Sequence, residues 1–157
     1  MAITGQPKTF YSSRNFRVLI PGVGSADFSK MDWAGLEAEV AEHYEGASVV
    51  PASQFVGKQK VNPATLERGV TDSTDLYDWF LLCSNAAATR GLNEEKYKRE
   101  VTVQQLDHEG VPKFGWVFHE AFAPKFEPTS GGFDSEGGKH AIERVTIHYK
   151  WAERITF

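Results

Sequence analysis

The sequence predicts a mainly β chain with one flanking α-helix. Two observations carry that prediction. Runs rich in β-branched and aromatic residues recur along the chain, the last of them alternating at period two, and a well-capped helical stripe occupies residues 73–89. At 157 residues the chain suits one domain, 1–157, able to bury roughly 70% of its unfolded surface. Hydrophobic residues at 41% and aromatics at 13% supply a core, which excludes disorder as the overall state.

Each element follows from local chemistry. Residues 1–13 are polar and carry Gly5 and Pro7, which predicts a flexible or partner-ordered N-terminal arm. Asn15 to Ile20 reads as a strand that Pro21-Gly22 ends. Gly22-Val23-Gly24-Ser25-Ala26-Asp27 has two glycines of a dinucleotide loop but lacks the third, and no helical pattern follows, so it reads as a hairpin turn. Residues 33–45 fit two periods. Trp33, Leu36, Val40 and Tyr44 make a helical stripe, whereas Leu36, Ala38, Val40 and Tyr44 make one strand face opposite Glu37, Glu39, His43 and Glu45. Periodicity leaves the two readings open, since Ala and Glu favour helix.

Gly46 to Asn62 has mixed polarity, with Pro51, Gly57 and the following Pro63, and reads as a long loop; loops of that length in compact domains usually have a task. Ala64 to Val70 is a short strand, after which Asp72 or Ser73 can cap a helix. Leu76, Trp79, Phe80, Cys83 and Ala87 then form one apolar face, Asp72, Asp75 and Asp78 complement the helix dipole, and Thr89-Arg90-Gly91 is a stop. Strands are predicted near 96–107 and 112–123, joined through the turn Asp107-His108-Glu109-Gly110. Residues 124–138 read as a loop, and 140–156 as one strand with Val145, Ile147, Tyr149 and Trp151 on one face.

Composition narrows the function. A net charge of −4 and a pI near 5.7 exclude a protein that coats duplex nucleic acid, which needs clustered Lys and Arg. The single cysteine, Cys83, excludes an intrachain disulfide and a multi-Cys metal site, and suits a reducing compartment. The first seven residues lack the charged start and apolar stretch of a secretory signal, and no run approaches the ~18 apolar residues of a membrane span. A soluble protein without membrane anchoring is expected, one that leaves a cell by lysis or on a larger particle.

The sequence offers no catalytic, cofactor-binding or metal-ligating set. His119-Glu120 opens like a zinc-protease motif, but Ala123 stands where the second histidine belongs. On a strand Glu42 faces away from Glu39 and His43, which removes an acid/base trio. Cys83 sits on the apolar helix face as a small hydrophobe. Asp134 and Glu136, between Gly131-Gly132 and Gly137-Gly138, lack the acidic spacing of a calcium loop. Phe114, Trp116 and Phe118 at period two read as core rather than as a base-stacking platform. The chain reads as a non-enzyme.

What the chain does carry is an ordered series of segments. These are Phe16-Arg17-Val18-Leu19-Ile20-Pro21-Gly22, Gly35-Leu36 with Glu37 and Glu39, and Tyr44-Glu45-Gly46. Leu66-Glu67-Arg68-Gly69, Leu76-Tyr77-Asp78-Trp79, Trp116-Val117-Phe118 with Ala121 and Pro124, and Ile142 to Tyr149 follow. In that order and spacing, from about Asn15 to Ile155, the chain resembles the tail-tube proteins of contractile-tailed phages and of related contractile injection systems. It departs from them in a Gly/Ser-rich segment at 129–139 and a longer connection at 84–96.

The resemblance implies that residues 33–45 are extended. It implies two antiparallel sheets packed as a sandwich or small barrel, with the helix on a flank and the inner sheets joining into a ring β-barrel on oligomerisation. Hexameric rings would stack into a hollow tube through which cargo, DNA in the first instance, passes during ejection. The implied partners are further copies of the chain and the sheath, tape-measure, baseplate and terminator proteins of a tail. The implied place is a virion tail or injection-system particle assembled in the host cytoplasm, with no cofactor. If 36–45 is a strand, Glu37, Glu39, His43 and Glu45 would face either the lumen or, as an ordinary sheet face, solvent, while Leu36, Ala38, Val40 and Tyr44 pack inward; the loop reaching neighbouring subunits or rings would carry Ser48, Val49, Val50, Gln54, Phe55 and Lys58. A carboxylate-ringed channel repels phosphates. The alternative is a monomeric β-barrel or sandwich module that binds a small ligand or a protein partner.

Overall fold

A computed structural model describes residues 10–23, 28–47, 49–88, 97–138 and 140–157. Residues 1–9 of the predicted arm at 1–13, the turn residues 24–27, Ser48, the side chain of Ala87 and the helix stop Thr89-Arg90-Gly91 lie outside the described residues. In chain order the elements are β1 (Phe16–Leu19), β2 (Phe28–Trp33), β3 (Leu36–His43), β4 (Ser53–Val61) and β5 (Ala64–Gly69). Then come α1 (Asp75–Ala88), β6 (Arg99–Leu106), β7 (Pro112–Glu127), β8 (Ile142–His148) and β9 (Trp151–Thr156).

Strand β7 organises the body. Its first half pairs β6 on one side and β9 on the other, and its second half pairs β8. One four-stranded layer therefore runs β1-β6-β7-β9 and the other β7-β8-β5-β2, all neighbours antiparallel. The bend between the halves falls at Glu120, a non-glycine residue at φ +52°. Beside it, Lys150 N donates to His119 O over 3.0 Å, where the chain crosses from β8 to β9.

That crossing corrects the expectation of one strand over 140–156. Alternation runs through Val145, Ile147 and Tyr149, all buried, and then reverses phase: Ala152 packs on the core and Trp151 faces out. A corner that exchanges inside for outside is invisible to a period-two count. The predicted loop from 124 is likewise shorter, because β7 continues to Glu127 under Val145 and Arg144 of β8. β2 carries no clear alternation (Ser29, Lys30 and Asp32 are polar) and is specified by its partner β5.

The core lies between the layers. Trp33 of β2 meets Trp116 and Phe118 of β7 edge-on, at centroid distances of 5.0 and 4.9 Å, and donates its Nε1–H to Tyr149 Oη over 2.7 Å. Helix α1 closes a flank through buried Leu76 and Trp79; Trp79 Nε1 donates to Tyr97 O, and Phe80 stacks on Phe126. Thr74 is the residue that opens the helix, since its carbonyl accepts from Asp78 N, so the cap falls one or two positions later than Asp72 or Ser73. Cys83 packs against the core, and burial pushes its thiol pKa up even though Ala123 N donates to the sulfur.

Candidate assembly interface

Among the described residues two features are left open by this body: a protruding hairpin and unpaired sheet edges. The hairpin is continuous with the body. Antiparallel pairing of β2 with β5 runs to Trp33 opposite Ala64, lapses over Ala34-Gly35 and Asn62-Pro63, and resumes as β3 with β4 at Leu36 opposite Val61. Proline has no N–H to give the ladder, and Gly35 at φ +87° supplies the left-handed turn that the break needs. Asn62 Nδ2 donates to Gly35 O across the gap, and Leu36 and Val61 anchor the base of the hairpin on the core.

β3 is thus a strand, as the resemblance implied. Residues 53–61, however, are a paired strand rather than part of a loop, and Ala52 N donates to His43 O where the tip closes. The expectation that Ala38, Val40 and Tyr44 pack inward fails in the single chain. β3 and β4 form a separate two-stranded sheet with no second layer beneath it among the described residues. Val40 is 64% exposed, Phe55 58%, Val56 75% and Val49 95%.

Register assigns the faces. Glu37 lies opposite Lys60, Ala41 opposite Phe55 and His43 opposite Ser53, while Val40 lies opposite Val56 and Glu42 opposite Gln54 on the other face. A β-bulge between Ala38 and Val40 sets Gly57-Lys58 against Glu39. Glu37, Glu39 and His43 therefore share one face, with Lys58 and Lys60 across from the two carboxylates. Glu45 lies past the end of β3, in the tip. On the opposite face Tyr44 Oη donates to Glu42 Oε2 over 2.6 Å, which raises the tyrosine pKa, and Gln54 Nε2 donates to Glu42 Oε1. Glu42 faces away from Glu39 and His43, as alternation predicts. Apolar groups thus emerge on both faces of one hairpin, a pattern legible only once Phe55 and Val56 are known to be on a strand.

The second feature is the edges. In the layer β1-β6-β7-β9, strands β1 and β9 each have one strand neighbour among the described residues, and so does β2 in the other layer. Unpaired N–H and C=O rows of this kind are templates for pairing with another chain.

The chemical motifs dissolve into structure. His119 lies between Glu100 and Glu153, with Nδ1 3.1 Å and Nε2 2.7 Å from their carboxylates, and stacks on Trp151. Glu120 instead turns the β7 corner and pairs with Lys150. Among the described residues no three His, Cys, Asp or Glu side chains gather as a metal site, and no helix is long and apolar enough to cross a membrane.

Comparison with known proteins places this architecture. A chain of the anti-feeding prophage tube-terminating cap structure superposes with a TM-score of 0.77 at 18% identity over 100% of both chains. A chain of the PVC extracellular contractile injection system sheath–tube complex gives 0.74 at 17%, covering 94% of this chain and 92% of that one. A chain of the anti-feeding prophage baseplate gives 0.75 at 18%, covering 96% and 98%. At such identities the likeness is one of fold. No curated protein sequence matches. The family model for T4-like virus tail tube protein gp19 matches residues 12–153, which takes in every element from β1 to the middle of β9. On that span, the chain belongs to the T4-like virus tail tube protein family.

Proposed function

We propose that this tail tube protein closes into hexameric rings that stack as a hollow conduit for cargo such as DNA. Membership of the family supports the tube role. The observation that carries the ring is the incompleteness of the single chain: edges at β1 and β9 that are free among the described residues, and a hairpin apolar on both faces. The layer β1-β6-β7-β9 has an even number of alternating strands, so β9 of one copy meets β1 of the next antiparallel. Head-to-tail contacts that close by rotation make rings, and closure removes the edges. Val49, Val50 and Gln54, with Ser48, form the contact that reaches a neighbouring subunit or ring, whereas Phe55 and Lys58, expected in that contact from the sequence, share by register the face of Glu37, Glu39 and His43. Glu37, Glu39, His43 and Glu45 face the lumen, where Lys58 and Lys60 temper the acidic field. Sheath, tape-measure, baseplate and terminator proteins are the tail partners, and assembly takes place in the host cytoplasm.

Sedimentation velocity tests the reading. The intact chain at high concentration, or seeded with baseplate, forms ring-sized species. A chain whose residues 37–60 are replaced by a short Gly-Ser turn stays folded and monomeric. A wild-type chain that remains monomeric under both conditions contradicts it.

A further inference from the structure

We infer the register in which copies of this chain join: β9 of one copy pairs with β1 of the next so that Arg17 lies opposite Glu153 and Leu19 opposite Trp151. This rests on the tube-subunit reading and adds to it the residues that meet at the seam. Hydrogen-bond direction sets the first constraint, because alternate residues of an antiparallel strand turn their N–H and C=O to the same neighbour. Leu106 N donates to Asn15 O in the β1–β6 ladder, so Asn15, Arg17 and Leu19 direct their backbone groups to β6, and Phe16 and Val18 direct theirs to the open side. Phe157 N donates to Lys113 O in the β7–β9 ladder, so Trp151, Glu153 and Ile155 direct theirs to β7, and Ala152, Arg154 and Thr156 direct theirs outward. Pairing must therefore set Phe16 and Val18 opposite members of that outward group. The side-chain faces agree. Val18 is buried and Ala152 packs on the core, which leaves Arg17 and Leu19 on the same outer face as Trp151, Glu153 and Ile155.

Only two such registers lay all of β1 against β9. One sets Arg17 opposite Ile155, Glu153 opposite Leu19 and Arg154 opposite Val18, so that each charge meets an aliphatic group. The other, two residues along, sets Arg17 opposite Glu153, Leu19 opposite Trp151, Val18 opposite Ala152 and Phe16 opposite Arg154. Opposite charges and aromatic–aliphatic pairs directly across a sheet stabilise it, most closely where the two residues share no hydrogen bond. Arg17 and Glu153 meet at such a position. Glu153 is already held there, since its Oε1 lies 2.7 Å from His119 Nε2, and Arg17 is exposed. On the core side the Arg154 guanidinium, already over the Phe114 ring, gains Phe16 as a second aromatic neighbour. The described chain flanking β1 is drawn away from its open side. Tyr11 packs edge-on against Phe114 of β7, Gln105 Nε2 of β6 donates to the carbonyls of Ser12 and Asn15, and Gly22 lies beside the Arg99 guanidinium of β6.

Paired cysteines in the full chain test the register. Copies carrying Arg17→Cys are mixed with copies carrying Glu153→Cys, assembled and oxidised, with each variant alone as the control for Cys83. Opposed residues that share no hydrogen bond stand about 4.5 Å apart at Cα, within disulfide reach. Covalent dimers are therefore expected from this mixture and not from Arg17→Cys with Ile155→Cys, the other register. Arg17→Glu, with fold checked by circular dichroism, sets like charges face to face and should raise the concentration needed for assembly about 3- to 10-fold. Assemblies that link position 17 to 155 instead, that link it to neither, or that form at the wild-type concentration with Arg17→Glu overturn the register and leave the tube reading intact. A chain that never assembles removes both.

Discussion

Arg68 and Glu143 face each other across β5 and β8, joined Nε to Oε1 and both buried on the core side of the layer. One step along, Glu67 and Arg144 make the reversed pair on the opposite face, and Arg144 also reaches Glu127 of β7. The two pairs point to opposite faces with opposite polarity, so a one-residue slip would break both and bring unlike surfaces together. They hold the register of the central strands.

Breaking the inner pair should be costly, because the remaining charge stays buried. Arg68→Met is expected to destabilise by about 3–5 kcal/mol in urea unfolding, and Arg68→Met with Glu143→Leu should recover most of that. A single-variant loss below about 1 kcal/mol would show that the pair is hydrated in solution.

Gly115 has no room for a side chain. It sits on β7 between Gln104 of β6 and Ile155 of β9, and a Cβ there would drive into the carbonyl oxygen of Val103. Gly115→Ala should cost about 2–3 kcal/mol, a fall in Tm of roughly 5–10 °C by calorimetry. An unchanged Tm would mean that β6 and β7 separate freely at this point.

Asp107 organises the β6–β7 turn by accepting from Val111 N and Glu109 N at 2.8 and 2.9 Å. Those donors, Val111 first, hold its pKa below the ordinary carboxylate value. A depressed pKa stabilises the fold above the unfolded value of about 3.9, and that contribution is lost as pH falls through the lower folded value. Wild type should therefore exceed Asp107→Asn in stability at neutral pH, and the two should converge below about pH 4. A gap that stays constant from pH 7 to pH 2 would rule out a role for the charge.

Glu37→Lys with Glu39→Lys turns a mixed face, where Lys58 and Lys60 already lie opposite, into a cationic one. Ring assembly should survive, since neither carboxylate anchors the hairpin. Passage of DNA should slow by about tenfold or more, measured as ejection kinetics from particles carrying the variant. Normal ejection would place these residues away from the lumen.

Legibility in the sequence follows the range of the interactions that shape each element. α1, the β6–β7 hairpin and β5 are set by local periods and turn chemistry, and each is present. β3 needed the family resemblance, because Ala and Glu pull towards helix while pairing with β4 decides for strand. β4 is illegible because Gly57 and two lysines dilute its pattern and, among the described residues, no second layer faces it. The same absence hid the exposure of Val40 and Val56. The β8–β9 corner escaped because the chain changes layers without interrupting the alternation of residue types. The proposed lumen and contact residues are legible as positions on one hairpin, whereas what each would meet is not written in a local pattern.

The most direct test of the tube assignment is an image reconstruction of the native particle that contains this chain. Six copies per ring around an open channel are expected, with β1 and β9 of adjacent copies paired through backbone hydrogen bonds and the 36–61 hairpin lodged against a neighbour. A reconstruction in which this chain occupies isolated positions, its β1 and β9 edges unpaired and its hairpin in solvent, would contradict it.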